Sequence, residues 1–495
     1  MNKIKKYIGI CAAICLALSG CGARPDGAKA ENVSAQEAED GLEQEMESTS
    51  TPEAEDVSTQ ETEDGPAQET ESGSEQEAEN VSGQEDGPAQ QERPEKQATE
   101  PVTLPSAYDG RKEGRAPSVK NQGSLGTCWA FASLTALEAS LLPEEKLDFS
   151  EDHMSLDQNF LLGQNDGGDY TMSMAYLLSW QGPVLEQDDP YGDKVSPSGL
   201  SAVKHVQEIR ILKPKDYDAI KQAVLEYGGV QSSLYTSMKN SKSQSQDYDP
   251  DHGSYYYDGK ESPNHDSVII GWDDDFPKEY FRIPPPDDGA FLCMNSWGEA
   301  FGDGGCFYVS YYDTNIGLHN IVYTGIEEPD NYSRIYQTDL CGWVGQMGYG
   351  TDGPLGNAWF ANIYEAQGKE TLKAVGFYAT GPDTSYEIYV AKGGKLTERE
   401  KAAAGSLKDA GYYTIPLENQ FALEPGERFG VIVKIYTPGK DHPVAIEYDA
   451  QDGKCRIDLT DGEGYISLQG EIWERVEEKQ ECNICLKAYT EEIRS

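Results

Sequence analysis

"KNQGSLGTCWAFASLTALEASLL", from Lys120 to Leu142, places one cysteine at the mouth of an apolar helix. Ala130, Leu134, Leu137 and Leu141 recur at helical spacing and Pro143 ends the pattern, which puts Cys128 in the first helical turn. There the helix dipole favours a thiolate over a thiol. Gly123 and Gly126 permit a tight approach loop in which a ligand can come close to backbone. Gln122, six positions before the thiol, can offer its side-chain amide to an oxyanion.

A nucleophilic cysteine needs a base and a group that holds the base, and the fold assembles these from distant segments. His265, in "PNHDSVIIGWDDDF", stands at the entrance of a strand that begins with Val268-Ile269-Ile270. Asn295, in "FLCMNSWGEAFGDGGCFYVSYY", lies between two further strand-like runs. Its amide can orient the imidazole while Trp297 shields that bond from water. The other histidines (His153, His205, His252, His319 and His442) have polar or loop-like surroundings with no partner motif.

Together these segments resemble the papain family of cysteine peptidases, whose signature around the nucleophile is C-G-[SA]-C-[WY]. The resemblance runs from about Leu104 to about Thr324 and includes "LPSAYDGRKEGRAPSVKNQG", "LDFSEDHM" and "NDGGDYTMSMAYLLSWQGPVLEQDDPY". It implies Cys128 as nucleophile, His265 as base and acid, Asn295 as orienter and Gln122 as oxyanion donor. Gly167 and Gly168 match glycines that hold substrate backbone in an extended conformation. A helix over "PKDYDAIKQAVLEYGGV", capped by Asp216 and ended by Gly228-Gly229, is scaffold, with Ile220, Ala223, Val224 and Tyr227 on one face.

Three departures from the family pattern stand out. Leu125 replaces the first cysteine of the signature and Asn165 stands near its usual partner, so one cleft disulfide is missing. Asp266 replaces the small apolar residue that borders the pocket for the second residue upstream of the cut; a carboxylate there either favours arginine or lysine in that pocket or points to solvent or a neighbouring backbone amide. No helical inhibitory propeptide pattern precedes Leu104.

Before the peptidase-like segment come two others. Residues 1–21 read as a bacterial signal peptide closed by a lipobox, Leu18-Ser19-Gly20-Cys21, which implies lipidation at Cys21 and a tether to the outer face of the membrane. Residues 22–101 repeat "ENVSAQE", "EDVSTQE" and "ENVSGQE" every 24 residues, and 22–100 hold 24 acidic against 4 basic residues, a net charge of −20. That composition predicts a self-repelling, disordered stalk. The whole chain carries −47, which argues against nucleic acid as a partner.

From about Asp330 the texture changes to short strand-like runs between Gly, Pro and Asp turns, such as "TLKAVGFYAT", "SYEIYVAK" and "RFGVIVKIY". Their order resembles, more loosely, the lectin-like domain that follows the peptidase in some bacterial surface cysteine proteases. The expected architecture is therefore α+β: a two-lobed papain-like peptidase over 102–330, then a jelly-roll-like, lectin-like β-sandwich over 331–495. Trp343, Trp359 and Trp473 supply either core or stacking faces for a glycan or other envelope ligand. Acidic turns such as "TDGPLGN" are candidates for calcium but lack an EF-hand ligand pattern, and no cofactor or metal is required. Seven cysteines follow the lipobox, so at least one is free; Cys482 and Cys485 read as strand alternation rather than a metal or redox motif. The expected function is a lipid-anchored, cell-surface endopeptidase that cleaves proteins or peptides through a thioester. The alternative is an adhesin or carbohydrate-binding protein on an inactive peptidase scaffold.

Overall fold

The helix read from Lys120–Leu142 forms as α1, Cys128–Leu141. It differs from the sequence reading in one respect: every residue from Cys128 to Ala139 is buried, not one face only. The reason is its central position, between α2 (Glu151–Leu156) and α3 (Tyr170–Leu178) on one side and sheet strands on the other. Small residues at Ala130, Ala132 and Ala136 allow close approach all round. α2 begins at Ser150, whose side chain accepts from the His153 N–H at 3.0 Å. α3 begins at Asp169, which accepts from the Thr171 N–H at 2.8 Å. α4 (Tyr217–Tyr227) is capped by Asp216 and ends at Gly228 with φ 81°, as its sequence predicts.

The computed structural model describes residues 9–12, 103–350, 355–450 and 455–493. Lipidation at Cys21 and the acidic stalk lie outside the described residues, as does the signal segment apart from Gly9–Ala12, which pairs antiparallel with Gly345–Gly348. Among the described residues no helix is long and apolar enough to cross a membrane.

A long mixed sheet joins the two halves. In order, its central strands are Glu370–Ala379, Ala410–Leu423, His205–Ile211, Asn320–Glu327, Val230–Leu234, His265–Asp273, Ala290–Met294 and Cys306–Ser310. The seam is backbone pairing: Ile211 opposite Ala410, and Ile209 opposite Tyr412. A second sheet, with Thr384–Lys392, Arg428–Tyr436 and Asn357–Glu365 at its centre, packs on the outer part of the first. Period-two alternation explains how one strand serves two cores. Val375 and Phe377 enter the sandwich, whereas Tyr378 and Tyr412 turn to the peptidase side and join Leu137, Tyr176 and Ile209.

The seven cysteines from Cys128 to Cys485 are buried, and none of them is in a disulfide. Cys482 points into the sandwich and Cys485 into the core shared with the peptidase, as strand alternation requires. Trp359 and Trp473 are half-buried on the outer face of the second sheet, with the Arg399 guanidinium 4.7 Å above the Trp359 ring.

Candidate active site

Cys128, His265 and Asn295 each sit at the end of a regular element, and Gln122 lies in the loop that leads into α1. Cys128 is the first residue of α1, and the preceding Thr127 does not cap the helix with its side chain. Thr127 Oγ1 instead meets Tyr191 Oη at 2.7 Å, and Tyr191 donates to the Gln122 carbonyl at 3.0 Å. Tyr191 has one hydroxyl proton, so Thr127 is the donor in the first bond. This tyrosine ties the oxyanion loop to the residue before the thiol, a role that no sequence motif signalled. Burial pushes its hydroxyl up to about 12, so it remains a neutral donor.

His265 opens the strand His265–Asp273, and its Nε2 lies 2.8 Å from Asn295 Oδ1. Asn295 Oδ1 also accepts the Ser296 backbone N–H at 2.8 Å. A backbone N–H can only donate, which fixes that amide atom as oxygen and requires Nε2 of His265 to carry the proton. The base lone pair of the neutral ring is therefore on Nδ1. The Trp297 ring lies against the imidazole, tilted by 35° with ring centroids 4.8 Å apart, and His265 and Asn295 are only 2% and 3% exposed. The bond between them is thus kept from water, as the position of Trp297 in the sequence predicts.

Gln122 links the two lobes. Its backbone N–H donates to the Ser296 carbonyl at 2.9 Å, and its Oε1 accepts from Ser296 Oγ at 2.6 Å. Nε2 donates one proton to the Leu125 carbonyl at 2.7 Å, which orients the amide and leaves its second N–H for a ligand. Two residues earlier, Lys120 Nζ is clasped by Glu138 at 2.7 Å, Asp148 at 2.8 Å and Glu151 at 2.8 Å. Burial disfavours that ammonium, and the three carboxylates more than offset it, so its pKa lies above the usual lysine value.

The glycines are required sterically. A Cβ on Gly126 would stand 3.0 Å from the Gly167 nitrogen, and one on Gly168 would stand 2.5 Å from Trp129 Nε1. Gly167 itself has φ 80°. The Gly167-Gly168 segment therefore lies directly against the first turn of α1.

Asp266 is 8% exposed, and its Oδ2 accepts from Gln231 Nε2 at 2.9 Å. Gln231 is held in turn by Ser133 of α1 and by Tyr323. The sequence reading leaves His319 without a partner, and the structure corrects this: the ring lies 5.8 Å from Tyr170, its Nδ1 is 3.4 Å from Ser233 Oγ, and Asp266 and Asp169 face it. Burial lowers its pKa against the pull of those two carboxylates. His153 and His205 are likewise partnered, by Tyr176 Oη at 2.5 Å and by Trp180 stacked at 3.8 Å.

Cys306 and Cys482 are poor nucleophiles by environment. Burial pushes Cys306 up to about 11 and Cys482 up to about 12. A cysteine at a helix N-terminus, an imidazole held by an amide and a side-chain amide donor together equip a site for thiolate attack on a carbonyl.

Residues 104–326 match the model of the papain family of cysteine proteases, and residues 335–490 match a lectin-like domain model. By class, then, the chain is a papain-like cysteine peptidase domain followed by a lectin-like domain. Among solved structures it is similar to the clostridial cysteine protease Cwp84 after propeptide cleavage: 26% identity, TM-score 0.69, covering 78% of this chain and 99% of that one. It is also similar to the cysteine protease and lectin-like domains of Cwp84, a surface layer associated protein of Clostridium difficile, at 25% identity and TM-score 0.69 over 79% of this chain and 89% of that one. Curated relatives include a cysteine protease of Blomia tropicalis, 24% identical over 232 residues and 44% of this chain. Cathepsin K of Mus musculus is 25% identical over 209 residues and 41% of this chain. The chain spans 65% and 58% of the length of those two relatives.

Proposed function

We propose that this chain is a cell-surface endopeptidase, anchored by a lipid on Cys21, that cleaves proteins or peptides with Cys128 as nucleophile. The observation that carries the reading is the shielded His265–Asn295 bond, which leaves Nδ1 as the basic atom of the ring. His265 takes the Cys128 proton, and the thiolate attacks the peptide carbonyl carbon. The tetrahedral oxyanion accepts from the second Gln122 N–H and the Cys128 backbone N–H. Its collapse breaks the C–N bond, the imidazolium protonates the leaving amine, and a thioester remains. Water, deprotonated by His265, then attacks the thioester and releases the acid and the thiol.

Gly167 and Gly168 hold the substrate backbone extended across the site, and Trp297 keeps water off the imidazole pair. Asp266 flanks the pocket for the second residue upstream of the cut and, with Asp169, favours a basic side chain there. The surface location is supported by the similarity to Cwp84, itself surface layer associated, and by the lipobox. The lectin-like domain is a candidate for binding an envelope glycan or protein. The chain from Val102 onward should cleave an unfolded fluorescent protein under reducing conditions and lose that activity in Cys128→Ala; a folded wild type that cleaves nothing contradicts the reading.

A further inference from the structure

Between the peptidase and lectin-like halves lies a cavity of about 400 Å³. Its peptidase wall includes Asp169, Tyr170 and Leu318, and its second wall includes Trp343, Val344 and Lys440 of the lectin-like part. The cavity starts at the residue that follows Gly168, which lies against the first turn of α1. Asp169 and His319 both line it, and Asp266, the neighbour of His265, acts electrostatically on both.

We propose that the lectin-like domain builds the outer half of a substrate pocket and recognises an apolar side chain four residues upstream of the cleaved bond. This rests on the reading that Gly167-Gly168 holds an extended substrate. In an extended strand, side chains two apart point the same way and stand roughly 6.6 Å from one another. When the second residue upstream points at Asp266 and His319, the fourth points the same way, farther from the thiol, into the part walled by Trp343 and Val344. A volume of about 400 Å³ exceeds what one side chain fills and accommodates two.

The two walls are held in register. The seam between the halves is a backbone ladder in which Ile211 pairs with Ala410, and both of these residues line the cavity. Asn159 Nδ2 donates across the boundary to the Leu340 carbonyl at 3.1 Å, and Gln337 Nε2 donates back to the Ser179 carbonyl at 3.0 Å. Trp343 is half-buried against Tyr378 at 5.7 Å between ring centroids, and so presents a supported aromatic surface.

The test uses peptides that differ only at the fourth upstream position (Leu, Phe, Gly or Asp) and measures kcat/KM with the chain from Val102 onward. Wild type is expected to prefer Leu or Phe over Gly by about tenfold or more, the scale of a small apolar pocket. Trp343→Ala should abolish that preference. Val344→Arg, at a half-exposed position where misfolding is not expected, should do the same by filling the cavity. Tyr436→Ala, an exposed change on the same domain that does not line the cavity, should keep it. Equal cleavage of all four peptides by wild type overturns the proposal, as does a preference that survives both cavity variants. Failure of the peptidase reading looks different, since wild type would then cleave none of them.

Discussion

Asn295→Ala removes the hydrogen bond that holds the base and leaves the thiol, the ring and the oxyanion donors in place. The lost contact is the 2.8 Å bond from His265 Nε2 to Asn295 Oδ1, buried beneath Trp297. Once the imidazole has taken the proton of Cys128, this bond is made to a cation, and hydrogen bonds to charged groups are worth about 1.5–3 kcal/mol. At about 1.36 kcal/mol per factor of ten, that is a loss of about ten- to 150-fold in kcat/KM, expressed mainly in kcat. The variant also leaves the Ser296 N–H without its acceptor, so the assay belongs well below its melting temperature, with folding checked by circular dichroism. Asn295→Asp restores an acceptor, should recover most of the rate, and should raise the pKa of the acidic catalytic form in the pH profile. A loss below threefold in Asn295→Ala, or a loss confined to KM, would refute the assignment of Asn295 as the residue that positions the base.

Gln122→Ala should lower kcat by about 10²–10³ with little change in KM, the usual result of deleting one oxyanion donor, measured with a short fluorogenic peptide. Gly168→Ala should fail to reach the native fold or should melt at clearly lower temperature, because its Cβ would stand 2.5 Å from Trp129 Nε1; a wild-type melting curve would show that the segment can move. Glu447 should make stability fall with pH. Burial pushes its carboxyl up to about 8, although Asn483 and the Cys341 N–H favour the charged form. The folded state thus holds a proton that the unfolded state has released above about pH 4.3, and stability drains away as pH rises from there to about 8. Glu447→Gln should flatten that slope in melting curves recorded between pH 5 and pH 8.5, and parallel slopes would contradict it.

The site was legible in the sequence because each of its parts carries a local signal. Cys128 opens a helix, His265 opens an apolar run, and Asn295 closes another, so their places on elements followed without knowledge of their contacts. α4 was equally legible, since Asp216 and Gly228 mark its ends and Ile220 and Val224 its buried face. Less visible was anything decided by packing across the chain. α1 shows a helical stripe in sequence, yet small residues around its circumference let it serve as a central helix buried on all sides. Nothing local in His205–Ile211 reveals that one edge of this strand pairs with the peptidase and the other with the lectin-like part. Tyr378 and Tyr412 lie on strands shared with the sandwich, but strand alternation turns them to the opposite core. His319 and Tyr191 gain their partners only through contacts distant in sequence, which no short motif encodes.

The most direct measurement is the alkylation rate of Cys128 by iodoacetamide against pH, read from the Cys128 peptide by mass spectrometry in wild type and His265→Ala. A thiolate paired with imidazolium predicts rapid modification that persists below pH 6 in wild type and retreats toward an ordinary thiol profile, near pH 8.5, in His265→Ala. An ordinary profile in both proteins would contradict the proposed Cys128–His265 pair, and with it the peptidase mechanism.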